Sequence, residues 1–311
     1  MAEGTTERDN ESARRLESGS LPVVADERLA QLRRTGAFTS QLGTSEFATL
    51  RAVGFDPVGQ VMGTTVYRLG YIPYTCSYGF GLGYSSYGSG STTSIHSYVQ
   101  ALHRARGLAL GRLVAECAAL GGDGVVGVTA TRLPFPGVSR TIELTVTGTA
   151  VRARGRVRPQ RPFTSDLSGQ DVASLLRAGY VPTTLAYGIG VGVRHDDWRT
   201  AGSANRWSGN VEIPGYTGLV NDVRHWARQD FSATVARSGG ENAVLRDTEL
   251  EIWEQEPSEG HRDHFAIATL VGTGIARFTS PPVPPPAPLT ILRLDARSTS
   301  ARTPTTTRGP R

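Results

Sequence analysis

The sequence predicts an α+β protein of two tandem domains, each a small, mostly antiparallel sheet carrying one long helix, with disordered ends. Three observations predict it: an internal repeat, a helix with an apolar stripe in each half, and flanks too polar or too proline-rich to pack. At 311 residues the chain is long enough for two cores.

The repeat comes first because it sets the architecture. Leu42-Gly-Thr-Ser-Glu-Phe-Ala-Thr-Leu-Arg-Ala-Val-Gly-Phe55 aligns without a gap on Leu167-Ser-Gly-Gln-Asp-Val-Ala-Ser-Leu-Leu-Arg-Ala-Gly-Tyr180, at an offset of 125. Downstream, Gly148-Thr149-Ala150-Val151 aligns on Gly272-Thr273-Gly274-Ile275 at an offset of 124, so the halves have nearly equal length.

Within each half the elements recur in order. Phe47, Leu50 and Val53 predict a short helix that stops at Gly54, as its counterpart stops at Gly179. Val58 to Tyr67 reads as a strand. A glycine-alternating stretch, Tyr78 to Tyr84, is mirrored by Tyr187 to Val193; its same-side glycines predict a strand packed tight against a helix or a neighbouring subunit. A long helix follows at about Ser97 to Leu120, with Tyr98, Leu102, Ala105, Ala109, Leu113 and Cys117 at helical steps, and another at about Leu219 to Arg237. Each ends in paired glycines, and strands follow at Val125 to Thr131, Thr141 to Arg152, Ala243 to Glu254 and Phe265 to Phe278.

These elements divide the chain into a disordered segment at 1–35 with a short helix at Glu27 to Arg34, a first domain at 36–155, an arginine-rich linker at 156–162, a second domain at 163–278 and a proline-rich disordered tail at 279–311. The tail opens Pro281-Pro-Val-Pro-Pro-Pro-Ala-Pro288, a polyproline-type run that predicts an extended solubilising segment, with docking of a protein partner as the other reading.

Charge argues against nucleic acid. All 33 basic residues are arginine, the net charge is only +5, and the densest run, Arg152, Arg154, Arg156, Arg158 and Arg161, falls at the linker. No window approaches the roughly 18 apolar residues of a membrane span. Met1 to Ser20 lacks an apolar signal core and there are only two cysteines, which together predict a cytoplasmic protein.

The first half then resembles a known family. Tyr98-Val-Gln-Ala-Leu-His-Arg-Ala-Arg106, Leu113-Val-Ala-Glu-Cys-Ala-Ala-Leu-Gly-Gly-Asp-Gly-Val-Val-Gly-Val128 and Leu144-Thr-Val-Thr-Gly-Thr-Ala-Val151 are together similar to the YbjQ family, with Gly63 to Arg68 at its early strand. The resemblance covers about Thr39 to Arg154. It departs where Cys76 to His96 exceeds the short connection expected, and where the second half has Ser238-Gly-Gly-Glu-Asn-Ala-Val244. It implies an α+β fold, homo-oligomeric rings with a pentamer as the expected size, and a heavy-metal-binding label without an established ligand set.

The residues lend that label little support. Heavy-metal sites favour Cys or His ligands at short spacing, and Cys76 and Cys117 are 41 residues apart. Cys117 falls on the apolar helix stripe, where a free cysteine acts as a small hydrophobe. His103 lies 14 residues before it, about 21 Å along one helix. Cys76, His96, His103 and Cys117 are nonetheless the first-half metal candidates. His195-Asp196-Asp197 and His261-Arg-Asp-His264 in the second half read as solvated turns or as sites for a borderline divalent ion. The same-side glycines are no dinucleotide fingerprint and no nucleophile elbow appears. The expectation is a non-enzymatic oligomerising binding protein of the YbjQ type, with no catalytic residue, no defined metal ligand and at most a divalent transition metal as cofactor. The alternative is a scaffold that recruits protein partners through its disordered ends.

Overall fold

The computed structural model describes residues 2–36, 39–70, 91–156, 158–204, 209–258 and 261–278. Cys76, the Tyr78 to Tyr84 glycine stretch and the proline-rich tail lie outside the described residues. The protein is α+β, in this order: α1 (Ala2–Glu17), α2 (Val23–Thr35), α3 (Thr44–Ala52), β1 (Phe55–Arg68), β2 (Thr92–Ser94), α4 (His96–Ala119), β3 (Gly124–Pro134), β4 (Thr141–Ala153), β5 (Phe163–Thr164), α5 (Gly169–Arg177), β6 (Tyr180–His195), α6 (Trp198–Ser203), α7 (Pro214–Arg237), β7 (Asn242–Ser258) and β8 (His261–Arg277).

Two four-stranded sheets run β1-β4-β3-β5 and β2-β6-β8-β7. In each, the first long strand of a half pairs antiparallel with its last, and the last pairs with the one before it. Pro57 stands opposite Val151, and Pro182 opposite Ile275, each next to a break in register. The fourth strand of each sheet comes from the other half. β2 adds antiparallel to β6 and β5 adds parallel to β3, so the boundary expected at residue 163 falls on a strand of the first sheet.

The short helices form as their sequences direct. Glu46 accepts from Gly43 N at 2.7 Å and so closes the start of α3. Ser168 accepts from Asp171 N at 3.1 Å at the start of α5. Gly54 and Gly179 follow α3 and α5 with φ of 89° and 84°, a left-handed turn that a side chain would strain.

The long helices bury the predicted stripes. α4 turns Leu102, Ala105, Ala109, Leu113 and Cys117 inward, and α7 turns Leu219, Val223, Ala227, Phe231 and Val235 inward. Each large aliphatic or aromatic side chain so buried contributes about 1.5–3 kcal/mol. Glycine decides how close helix and strand come: a Cβ on Gly188 or Gly190 would overlap the Ala227 or Val223 carbonyl of α7. The tight strand-on-helix packing expected of the Tyr187 to Val193 glycines is therefore present. The match of these glycines to Tyr78 to Tyr84, which lies outside the described residues, is corrected, because β6 occupies in its sheet the place of β1. Gly63, whose Cβ would overlap the Ala109 carbonyl of α4, is the structural partner of Gly188, 125 residues on.

The N-terminal segment differs from expectation in helix content. The helix expected at Glu27 to Arg34 spans Val23–Thr35, and α1 precedes it. Contacts that sequence cannot register hold α2 in place: Leu29 is fully buried, and Arg28 pairs with Glu116 on α4.

Candidate functional site

The junction of the halves and the far end of the β6–β8 pair hold the polar groups of interest. At that far end the register sets His195 opposite Asp263, and His264 opposite both Arg194 and Glu254. The structure thus joins the two histidine-bearing segments that the sequence could only treat as separate turns. His195 Nδ1 lies 2.6 Å from Asp263 Oδ1. His264 Nδ1 lies 3.2 Å from Asp196 Oδ1, and its Nε2 3.5 Å from Glu254 Oε2. Tyr216, delivered by α7, donates to Asp196 Oδ2 at 2.8 Å and sets its ring 4.3 Å from the His264 ring. Burial, then the hydrogen bond to the Asp196 carboxylate, raises the Tyr216 hydroxyl above its ordinary pKa. Asp197 caps α6 by accepting from Thr200 N at 2.8 Å.

This arrangement sets two imidazoles among three carboxylates, His195 beside Asp263 and His264 between Asp196 and Glu254. Among the described residues, no three His, Cys, Asp or Glu side chains are arranged to hold a metal ion. The described first-half candidates, His96, His103 and Cys117, do not converge either. Cys117 is buried, its thiol donating to Gly124 O at 3.4 Å and pushed up to about 12, chiefly by burial. It is a core thiol that keeps its proton, a poor match to a heavy-metal site that needs thiolate. His103 instead ties the halves together: its Nε2 lies 2.6 Å from Asp230 Oδ2 on α7, which also accepts from Ile189 N at 2.8 Å. Burial works against the Asp230 charge, yet the His103 and Ile189 hydrogen bonds outweigh it and lower the carboxyl. His96 begins α4 and is exposed. The described residues thus do not fit the family's heavy-metal label.

Sequence reasoning missed the polar groups at the junction. Ser165 and Thr273 hydroxyls lie 2.9 Å apart, Asp166 N donates to Thr273 Oγ1 at 3.2 Å, and Thr273 donates back to Asp166 Oδ1. Burial raises the Asp166 carboxyl. On the next layer Arg106 of α4 stacks over Tyr187 of β6 at 4.6 Å from the ring centroid. Burial lowers the guanidinium and pushes the Tyr187 hydroxyl up to about 12. Arg106 Nη1, Tyr187 OH and Asp166 Oδ2 are buried without a hydrogen-bond partner. A signal for this layer was present: Ser40 and Thr149 precede Ser165 and Thr273 by 125 and 124 residues, and make the same pairing at 3.5 Å.

Fold and site together define an α+β protein whose two strand-and-helix units complete each other's sheets. The chain belongs to the YbjQ family: residues 88–154 match the family model described as "Putative heavy-metal-binding". It is also similar to the protein named encapsulin nanocompartment protein Rv1762c of Mycobacterium tuberculosis (strain ATCC 25618 / H37Rv), 32% identical over 235 residues, which cover 74% of this chain and 83% of that relative. Among the described residues, no helix is long and apolar enough to cross a membrane.

Proposed function

We propose that this protein is a non-enzymatic, self-assembling YbjQ-type module, a cytoplasmic component of an encapsulin-type nanocompartment. The observation that carries the reading is the reciprocal strand addition at the junction, in which β5 extends the first sheet and β2 the second. A unit that leaves a sheet edge for its neighbour to complete is built to associate. The name of the mycobacterial relative supports assembly, and the pairing of His195 and His264 with carboxylates across neighbouring strands supports a structural role over catalysis.

We also read the two halves as a tandem duplication giving two domains. The matched proline registers and the matched glycines, Gly63 and Gly188, support it. We read the proline-rich run Pro281 to Pro288 as a docking sequence for a protein partner. Native mass spectrometry of the full chain tests the central claim. Whole-number multiples of the chain mass are expected, and a monomer at every concentration would overturn it.

A further inference from the structure

Within the chain, the second half closes the outer edge of β3. Val128 N donates to Ser165 O and Gly127 N to Leu167 O, both at 2.9 Å, and Ser165 N donates to Val125 O at 2.9 Å. Both sides of this contact are buried, 164–167 on one and Gly124, Val125, Val126 and Val128 on the other. The neighbouring helices follow, with Val172 and Ala173 of α5 buried.

The same two surfaces recur elsewhere, and among the described residues no strand or segment pairs with them along the backbone. β7 repeats β3 at 118 residues' distance, down to the break in register, which lies at Val126/Thr129 in β3 and at Leu245/Asp247 in β7. Yet Asn242, Leu245 and Arg246 are exposed there, Leu245 at 48%. Residues 39–42 repeat 164–167, held in the same posture by Thr149, whose hydroxyl accepts from Gln41 N at 3.1 Å. Thr39 and Gln41 are exposed, and Ser40 and Leu42 only half-buried. Among the described residues, neither Ser40 O nor Leu42 O accepts a backbone hydrogen bond, although Ser165 O and Leu167 O both do. On α3, Ala48 is exposed where its counterpart Ala173 is buried.

We propose that the open edge of β7 in one copy takes residues 39–42 of a second copy, head to tail, as β3 takes 164–167 within the chain. The inference deepens the self-assembly reading and rests on it. The two surfaces are different patches, so the contact is heterologous and propagates from copy to copy until it closes. Each chain supplies two halves, so a ring closed through this contact holds an even number of them. The other flank needs a rearrangement. α1 and α2 line a cleft of about 560 Å³ against Met62 to Tyr67 of β1. At the equivalent flank of β6 lies α4, with Arg106 over Tyr187. The N-terminal helices therefore stand where the long helix α7 of a preceding copy would come, and they move aside on docking.

The register gives a direct test. Val125 pairs with Thr164 in the chain, so Ala243 of one copy pairs with Thr39 of the next. Full-length protein carrying Thr39→Cys and Ala243→Cys in a Cys76→Ala background is expected to form an intermolecular ladder on a non-reducing gel after mild oxidation, with neither single variant doing so. Leu245→Glu, at an exposed position, is expected to weaken association at least tenfold in analytical ultracentrifugation with an unchanged circular dichroism spectrum. If Leu245→Glu fails to fold, the cross-link decides. A chain that associates without the cross-link and is indifferent to Leu245→Glu would overturn this contact and leave self-assembly standing. A chain monomeric throughout would overturn both.

Discussion

Two hydroxyl pairs occupy the same place in the two halves, Ser40 with Thr149 and Ser165 with Thr273, and their surroundings differ. In the first half the next residue is Gln41, exposed, its amide donating to Thr147 Oγ1 at 3.1 Å. In the second it is Asp166, buried, with Arg246 donating to its backbone carbonyl. The helix contacts differ in the same way. Arg112 of α4 donates to Thr64 O of β1, while the corresponding Asp230 of α7 accepts from Ile189 N of β6. The backbone geometry is alike in the two halves while the polarity of this contact is opposite. The two halves therefore agree in packing and differ in polar contacts, because packing tolerates only a few shapes whereas a hydrogen bond can be made from either side.

The largest effect should come from the position the halves share most closely. Gly63→Val and Gly188→Val each drive a side chain into a helix carbonyl, and each is expected to cost about 3 kcal/mol or more in urea denaturation. Gly107→Ala and Gly111→Ala on α4, where an added Cβ meets nothing within 4 Å, should instead stabilise by roughly 0.5–1 kcal/mol. Equal tolerance at Gly63 and Gly107 would break the argument from close approach.

Next comes alkaline stability. Cys117 sits where α7 has Val235, each beside a glycine that closes the helix end. The folded thiol is raised to about 12, so its contribution is whole below the ordinary thiol pKa of about 8.5 and is lost as pH rises through the folded value. Stability should fall between about pH 8.5 and 12 by up to about 1.4 kcal/mol per pH unit. Cys117→Val, which copies the second half, should flatten that limb; an unchanged slope would assign it to other groups such as Tyr187.

A smaller change is expected at Asp166. Its raised carboxyl means that the contribution present below the ordinary carboxylate pKa of about 4 is lost as pH rises through the folded value. Asp166→Asn keeps an acceptor for Thr273 and removes the buried charge, so it should gain on the order of 1 kcal/mol at pH 7. The gain should vanish as pH falls towards 4, and thermal melts across that range will show whether it does. Smallest is the effect of deleting residues 1–36, which uncovers the β1 flank. Association should strengthen several-fold by ultracentrifugation, whereas weaker association would place α1 and α2 inside the contact.

The long helices, their buried stripes and most strands were legible in the sequence because period and glycine stops are local signals repeated in two halves. The pairing of the first half was less so. The Tyr78 to Tyr84 glycines resemble those of β6 in spacing, yet the sheet assigns that role to Gly63, since strand identity follows from pairing partner and not from composition. The histidine cluster was half legible. Both segments stood out, but their meeting depends on Arg194 standing opposite His264, a register fixed across 69 residues of intervening chain.

What the sequence determined by itself was the α+β class and the long helices and strands, because each rests on periodicity within one element. What only the tertiary structure decided was the exchange of β2 and β5 between the halves, the burial of Glu116 and Asp166, and, among the described residues, the unpaired outer edge of β7. Those depend on which strand edge meets which, and edge pairing is made of backbone hydrogen bonds that every residue type except proline can supply. Side-chain identity carries little record of a partner recognised through the backbone.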